Sequence, residues 1–131
     1  MRRLARSAVL VLALAACAQK GKVPRIDGAK VVGTWRSDAL PAADASGRVY
    51  ELVIADDGRA DLSTTYVGKG TIVERGTWDG RDSLVRVVAR KDGTGAPQSY
   101  LFTLRPDSTL ALAPDTVRFG TAGLVLRRVA R

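Results

Sequence analysis

The sequence predicts an all-β protein, a small antiparallel up-and-down barrel that follows an N-terminal lipoprotein signal peptide. Three observations lead there. Short runs of β-branched and aromatic residues recur at regular spacing after residue 30, each bounded by Gly, Asp or Pro. No segment beyond the signal peptide carries a convincing helical period. The runs number roughly eight or nine, and an open sheet of that size would present two edges to association, which closure into a barrel removes.

The chain opens with Met1-Arg2-Arg3, an apolar run from Ala8 to Ala16, and the word Leu14-Ala15-Ala16-Cys17. A basic start, a short apolar stretch and small residues before a cleavage point make a secretory signal peptide, residues 1–16. Cys17, the chain's one cysteine, stands at the junction, so the segment resembles a lipobox in which Cys17 is the site of lipid attachment. In the competing reading the signal peptide is an ordinary cleaved one and Cys17 is a coincidence. A transmembrane anchor would need about 20 apolar residues, and this run is shorter. Acylation at both the thioether and the new N-terminus exceeds the two lipid signals needed for stable attachment. It would also remove the only thiol, and disulfide or thiol chemistry with it.

Residues 17–30 read as a lipidated, flexible tether, Lys-rich with Gly21 and Pro24 and without hydrophobic period. Such a stretch has an end-to-end distance of roughly 20 Å, enough to hold a small domain just off a bilayer. Ala18 follows the cysteine where an aspartate would resemble an inner-membrane retention signal. The expected location is therefore the outer membrane, facing the periplasm.

Residues 31–131 form the expected barrel domain. Residues 31–36 make a first strand. Residues 49–55 place Tyr50, Leu52 and Ile54 on one face, and Asp56-Asp57-Gly58 supplies a hairpin turn. Residues 59–67 alternate Ala60, Leu62, Thr64 and Tyr66 against Asp61, Ser63 and Thr65, so one side is wet. Gly68-Lys69-Gly70 turns into residues 71–78, and Asp79-Gly80 reads as the next hairpin. Residues 84–89 put Val85, Val87 and Ala89 on one face and Arg86 on the other. Residues 91–97 are a mobile loop, and residues 99–104 point Tyr100, Phe102 and Leu104 inward. Residues 109–112, 116–119 and 124–129 complete the set. Gly33-Thr34-Trp35 recurs as Gly76-Thr77-Trp78, but the flanking residues differ, so no internal repeat follows.

At 131 residues there is room for one domain. The formal charge is +8; loss of Arg2, Arg3 and Arg6 with the signal peptide leaves +5. A basic surface beside an acidic envelope favours loose contact with anionic headgroups, although arginine that simply solvates an exposed surface explains the same composition. An exported, lipidated chain has no nucleic-acid partner. With no histidine there is no Ser-His-Asp triad, histidine base or histidine-ligated zinc. Ser-x-x-Lys and Gly-x-Ser-x-Gly are missing too. Asp56 with Asp57, and Asp79 with Asp82, read as turn residues before they read as paired carboxylates. Gly68-Lys69-Gly70-Thr71 lacks the spacing and the following helix of a phosphate loop. No cofactor, metal or catalytic residue is expected.

Leu40-Pro41-Ala42-Ala43-Asp44-Ala45-Ser46-Gly47, with Leu52, Asp57-Gly58, Tyr66-Val67-Gly68 and Gly76-Thr77-Trp78 in order, resembles the N-terminal domain of the NlpE family. The resemblance implies an envelope-stress or copper-resistance lipoprotein with a lipocalin-like barrel. The family carries a Cys-x-x-Cys pair in the Leu-Pro segment, and Ala42 and Ala45 stand there in this chain. Without histidine or a free thiol, and with Met1 as the sole methionine, a side-chain copper site is not expected. Gly33-Thr34-Trp35 also resembles the Gly-x-Trp that opens lipocalin strands, which implies an arginine over the tryptophan, Arg127 or Arg128.

Trp35, Tyr50, Tyr66, Trp78, Tyr100 and Phe102 all fall on expected strands. They either line an apolar calyx as ligand-binding residues or fill a small core. The expected function is that of a non-enzymatic, membrane-anchored envelope lipoprotein in homeostasis or stress sensing. Its partners are the membrane, through the N-terminal lipid, and an envelope protein or hydrophobic ligand. A carrier or chaperone of a lipid or hydrophobic small molecule is the alternative.

Overall fold

In the computed structural model, residues 28–112 and 123–129 are described. The signal peptide, Cys17 and the candidate strand at 116–119 lie outside them. A single helical turn, α1 (Gly28–Val31), leads into eight strands: β1 (Gly33–Ser37), β2 (Arg48–Ile54), β3 (Arg59–Tyr66), β4 (Gly70–Arg81), β5 (Leu84–Lys91), β6 (Gln98–Leu104), β7 (Thr109–Leu112) and β8 (Val125–Arg128). Every neighbour in sequence pairs antiparallel, and β8 pairs with β1, which closes the barrel.

The period-2 alternation read from the sequence is the inward/outward alternation of the wall. Tyr50, Leu52 and Ile54 face inward beside Thr64, Leu62 and Ala60. Val85, Val87 and Ala89 face inward across from Phe102, Tyr100 and Gln98. Leu110 and Leu126 pair at the closing seam. Leu52, Leu62, Val85, Val87, Phe102, Leu110, Leu124 and Leu126 are fully buried, so most of the interior is a packed core.

Three expectations need correction. Asp79-Gly80 is not a turn: Asp79 pairs with Arg86 and Gly80 with Val85, so β4 continues to Arg81. The turn falls on Asp82 and Ser83, where Asp82 takes a left-handed φ of 55°, a conformation that Asp adopts more readily than most residues. The first strand begins at Gly33, because residues 28–31 coil into α1, closed by Val32 N–H donating to the Gly28 carbonyl at 2.8 Å. Gly28, Ala29 and Lys30, expected at the end of the tether, are thus part of that turn. The remaining strands fall within two residues of their expected bounds, β4 excepted.

In an up-and-down barrel successive connections alternate between the two ends. One end carries α1 and the tight turns at 55–58, 82–83 and 105–108; the other carries 38–47, 67–69 and 92–97. The α1 end is shut. Val31 is fully buried and its carbonyl accepts the Trp35 indole N–H at 2.8 Å. The Arg128 guanidinium lies over the Trp35 ring, 4.5 Å from its centroid. It donates through Nη1 to the Val32 carbonyl at 2.7 Å and through Nη2 to the Lys30 carbonyl. Gly33, at φ 140°, leaves the space this requires, since a Cβ there would stand 2.7 Å from Arg128 Nη1. Trp78 completes the seal, its indole donating to the Ala55 carbonyl at 2.6 Å.

Candidate functional site: a cleft at the barrel mouth

At the opposite end the described residues leave a cleft. Leu40 forms a bridge with Arg48 through two backbone hydrogen bonds of 2.8 and 2.9 Å, and Val67 N–H donates to the Gly47 carbonyl at 3.0 Å. These contacts fold residues 41–45 over the mouth without filling it. A cleft of about 910 Å³ remains between this loop, the start of β2 and the β3–β4 hairpin, within the roughly 300–1,000 Å³ of ligand pockets.

Its walls are mixed. Pro41, Ala42, Ala45 and Ile72 give apolar surface, Tyr50 and Tyr66 give aromatic surface, and Arg48 and Lys69 bring positive charge. Ile72 pairs with the inward-facing Thr64, yet is 40 % exposed; an inner-face isoleucine reached by solvent marks where the core stops. Arg48 lies over the Tyr50 ring at 5.6 Å. Ser37 Oγ accepts the Tyr50 backbone N–H at 2.9 Å and donates to the Asp38 carbonyl at 2.8 Å, fixing the start of β2 beneath the loop. On the same inner face as Ile72, Glu74 accepts the Tyr100 hydroxyl at 2.8 Å to each carboxylate oxygen.

The six aromatics therefore divide. Tyr66 lines the cleft half-buried, and Tyr50 borders it as a buried member of the core. Trp35 and Phe102 are fully buried core, Trp78 seals the closed end, and Tyr100 is buried with its hydroxyl on Glu74. Arg48 and Ile72 were not singled out from the sequence, and Lys69 only within the discounted word Gly68-Lys69-Gly70-Thr71. Arg48 sits where the inner-face alternation of β2 runs on past Tyr50, a continuation that could have found it, and Ile72 is placed on the inner face by its pairing with Thr64. Ala42 and Ala45, noted as the positions of the family's thiol pair, are half-buried in the cleft wall.

Charge elsewhere is local. Asp57 is held below the usual aspartate value chiefly by the Arg59 backbone N–H, opposed by desolvation and reinforced by the Arg59 side chain. Asp107 is lowered chiefly by the Thr109 hydroxyl, at 2.6 Å, again opposed by desolvation. Both brace turns at the closed end. Among the described residues no group of three or more His, Cys, Asp or Glu is placed to hold a metal ion.

A closed, eight-stranded antiparallel barrel, sealed at one end by a tryptophan–arginine pair and carrying a cleft at the other, defines a small lipocalin-like barrel protein. The family model for the NlpE N-terminal domain matches residues 37–115, and the chain belongs to that family. Among solved structures, the lipoprotein YedD from Klebsiella pneumoniae subsp. pneumoniae MGH 78578 is similar at 18% identity with a TM-score of 0.56, over 84% of this chain and 81% of that one. The Cpx pathway activator NlpE from Escherichia coli is similar at 17% identity with a TM-score of 0.51, over 76% of this chain and 46% of that one. The chain thus corresponds to less than half of the Escherichia coli protein, and at these identities the likeness is one of fold. No curated protein matches the sequence.

Proposed function

We propose that this is a non-enzymatic envelope lipoprotein, anchored through Cys17 after removal of residues 1–16, whose barrel acts by contact in envelope homeostasis or stress sensing. The observation that carries the reading is the asymmetry of the barrel: among the described residues one end is packed shut and the other carries a cleft. Family membership and the printed role of the Escherichia coli relative as a Cpx pathway activator support it. So does the lack of histidine. Lipidation is tested by the mass of the mature N-terminal peptide, in which Cys17 carries acyl chains, and by Cys17→Ser, which leaves the chain in the soluble periplasmic fraction. The sensing role is tested with envelope-stress reporters under surface contact and lipoprotein overload. Reporters that respond equally with and without the gene count against it.

The cleft also favours a second reading, a carrier of a hydrophobic small molecule. Tyr50, Tyr66 and Ile72 offer it an apolar wall, whereas the packed core beneath leaves no channel through the barrel. Mass spectrometry of material extracted from native protein separates the two, because a carrier brings a defined ligand with it.

A further inference from the structure

The outer wall of the barrel is not uniform in how it treats its cations. Around β1–β3 and β8, arginines are matched with acids: Arg36 with Glu51 at 2.6 Å, Arg59 with Asp57 at 2.8 Å and Arg127 with Asp38 at 4.0 Å. Across β4 and β5 only Arg86 is, to Asp79 at 3.1 Å. Arg75, Arg81 and Arg90 have no carboxylate within 4.0 Å among the described residues. Asp61 stands across from Arg75 in the register, and Asp82 and Asp92 occupy the adjoining turns, yet none closes an ion pair. Arg75 and Arg90 are directly opposite each other, as Arg36 and Arg127 are on the other wall, but the latter two each have an acid partner, and like charges so placed without one cost stability.

Apolar side chains are interleaved with these cations. Leu84, Val88 and Leu101 are 40, 36 and 43 % exposed. Leu84 pairs with Arg81, Val88 follows Arg86 on the outer face, and Leu101 pairs with Arg86. Leu101 is diagonal to both Leu84 and Val88, so the three make one strip. An apolar strip set among cations with few acid partners is the pattern of a surface that meets anionic headgroups and dips apolar tips between them.

We infer that the outer face of β4, β5 and β6 is a docking surface for the anionic phospholipid leaflet that holds the protein's own anchor. The occupant follows from charge complementarity and from reach. A tether with the composition of residues 17–27 would span roughly 20 Å and keep the barrel wall within range of the bilayer, where a cation near the surface gains from the negative potential. An acidic protein would find the same charges, but the strip of exposed aliphatics along two adjacent strands suits a lipid interface. The inference rests on the membrane-anchored reading above. With the barrel lying on this face, the mouth opens sideways along the membrane, clear of the anchor.

The test uses the full acylated chain, in which Cys17 leaves no thiol. A fluorescent probe is placed at Leu101→Cys or, on the opposite wall, at Val53→Cys, where Val53 is 39 % exposed. Each protein is reconstituted in vesicles carrying quencher-labelled lipid, made of phosphatidylcholine alone or of equal parts phosphatidylcholine and phosphatidylglycerol. The expected result is strong quenching at Leu101 only with phosphatidylglycerol, little at Val53, and weakening of docking by roughly fivefold for each of Arg75→Gln, Arg81→Gln and Arg90→Gln. Equal quenching of the two probes, or no dependence on phosphatidylglycerol, overturns the inference. A Cys17→Ser chain separates the two claims. If the unsubstituted chain fails to float with phosphatidylcholine vesicles, the anchor reading falls, while quenching at Leu101 on phosphatidylglycerol vesicles in the Cys17→Ser background still decides the face.

Discussion

The two ends of this barrel are built from the same residue types and put them to opposite uses. At the closed end an aromatic and an arginine, Trp35 and Arg128, stack at 4.5 Å and spend their polar atoms on the carbonyls of Lys30, Val31 and Val32. At the mouth Tyr50 and Arg48 also stack, at 5.6 Å, but they border a cleft. What separates the two is the chain that lies over them. Residues 28–32 coil tightly enough to plug the barrel, whereas residues 41–45 arch over the mouth from the Leu40–Arg48 bridge and leave space below. An aromatic–cation pair is therefore a seal or a wall according to the length and curvature of the segment that covers it.

The contrast can be broken in steps. Trp35→Ala removes the largest fully buried side chain and the stacking surface of Arg128, so it is expected to cost about 3–5 kcal/mol and to lower the melting temperature sharply; an unchanged melting curve would mean that the closed end bears no load. Arg128→Ala keeps the ring and removes its cover. Its expected cost is about 1.5–3 kcal/mol, the value of hydrogen bonds to charged groups, read by chemical denaturation at constant slope. Tyr66→Ala, at the mouth, is expected to lower stability by less than about 1 kcal/mol, as for surface positions, while abolishing whatever ligand co-purifies or whatever reporter response depends on the cleft. A Tyr66 variant less stable than the Trp35 one would reverse the assignment of the two ends.

The smallest effect is in pH. Asp57 and Asp107 have folded-state values below the ordinary aspartate value of 3.8. A depressed carboxylate contributes stability that is present above the unfolded value and is lost as pH falls through the folded one. The melting temperature should thus owe nothing to these two groups' titration above about pH 5 and should decline below pH 4. Asp107→Asn, which keeps the shape but not the charge, should flatten part of that decline.

Much of the wall was legible beforehand because its alternation is strict. Tyr50-Leu52-Ile54 and Val85-Val87-Ala89 announce their inner face by period alone. Turn position was less legible: Asp79-Gly80 is a strong local hairpin word, but β5 pairs with it residue for residue and moves the turn to Asp82. Local preference lost there to cross-strand pairing. The arginine over Trp35 was narrowed by resemblance to Arg127 or Arg128, and the register decides for Arg128, which pairs with Trp35 while Arg127 faces out beside Arg36. The cleft was the least legible part. Tyr50 and Tyr66 look no different in sequence from Trp35 and Phe102, and only the path of residues 41–45 distinguishes a wall from a core.

The arginine clamp at the closed end also sets an order in time. Arg128 reaches carbonyls 96 and 98 residues before it in the chain, and β1 gains its second neighbour only when β8 arrives. Contacts so distant in sequence carry a large loop-closure entropy before any reward, and such topologies fold slowly. Until β8 has docked, the segment ahead of it remains a meander with two open edges, and the barrel acquires its cooperative stability late. That delay makes the pairing of β8 with β1 the step at which the barrel commits to its native state.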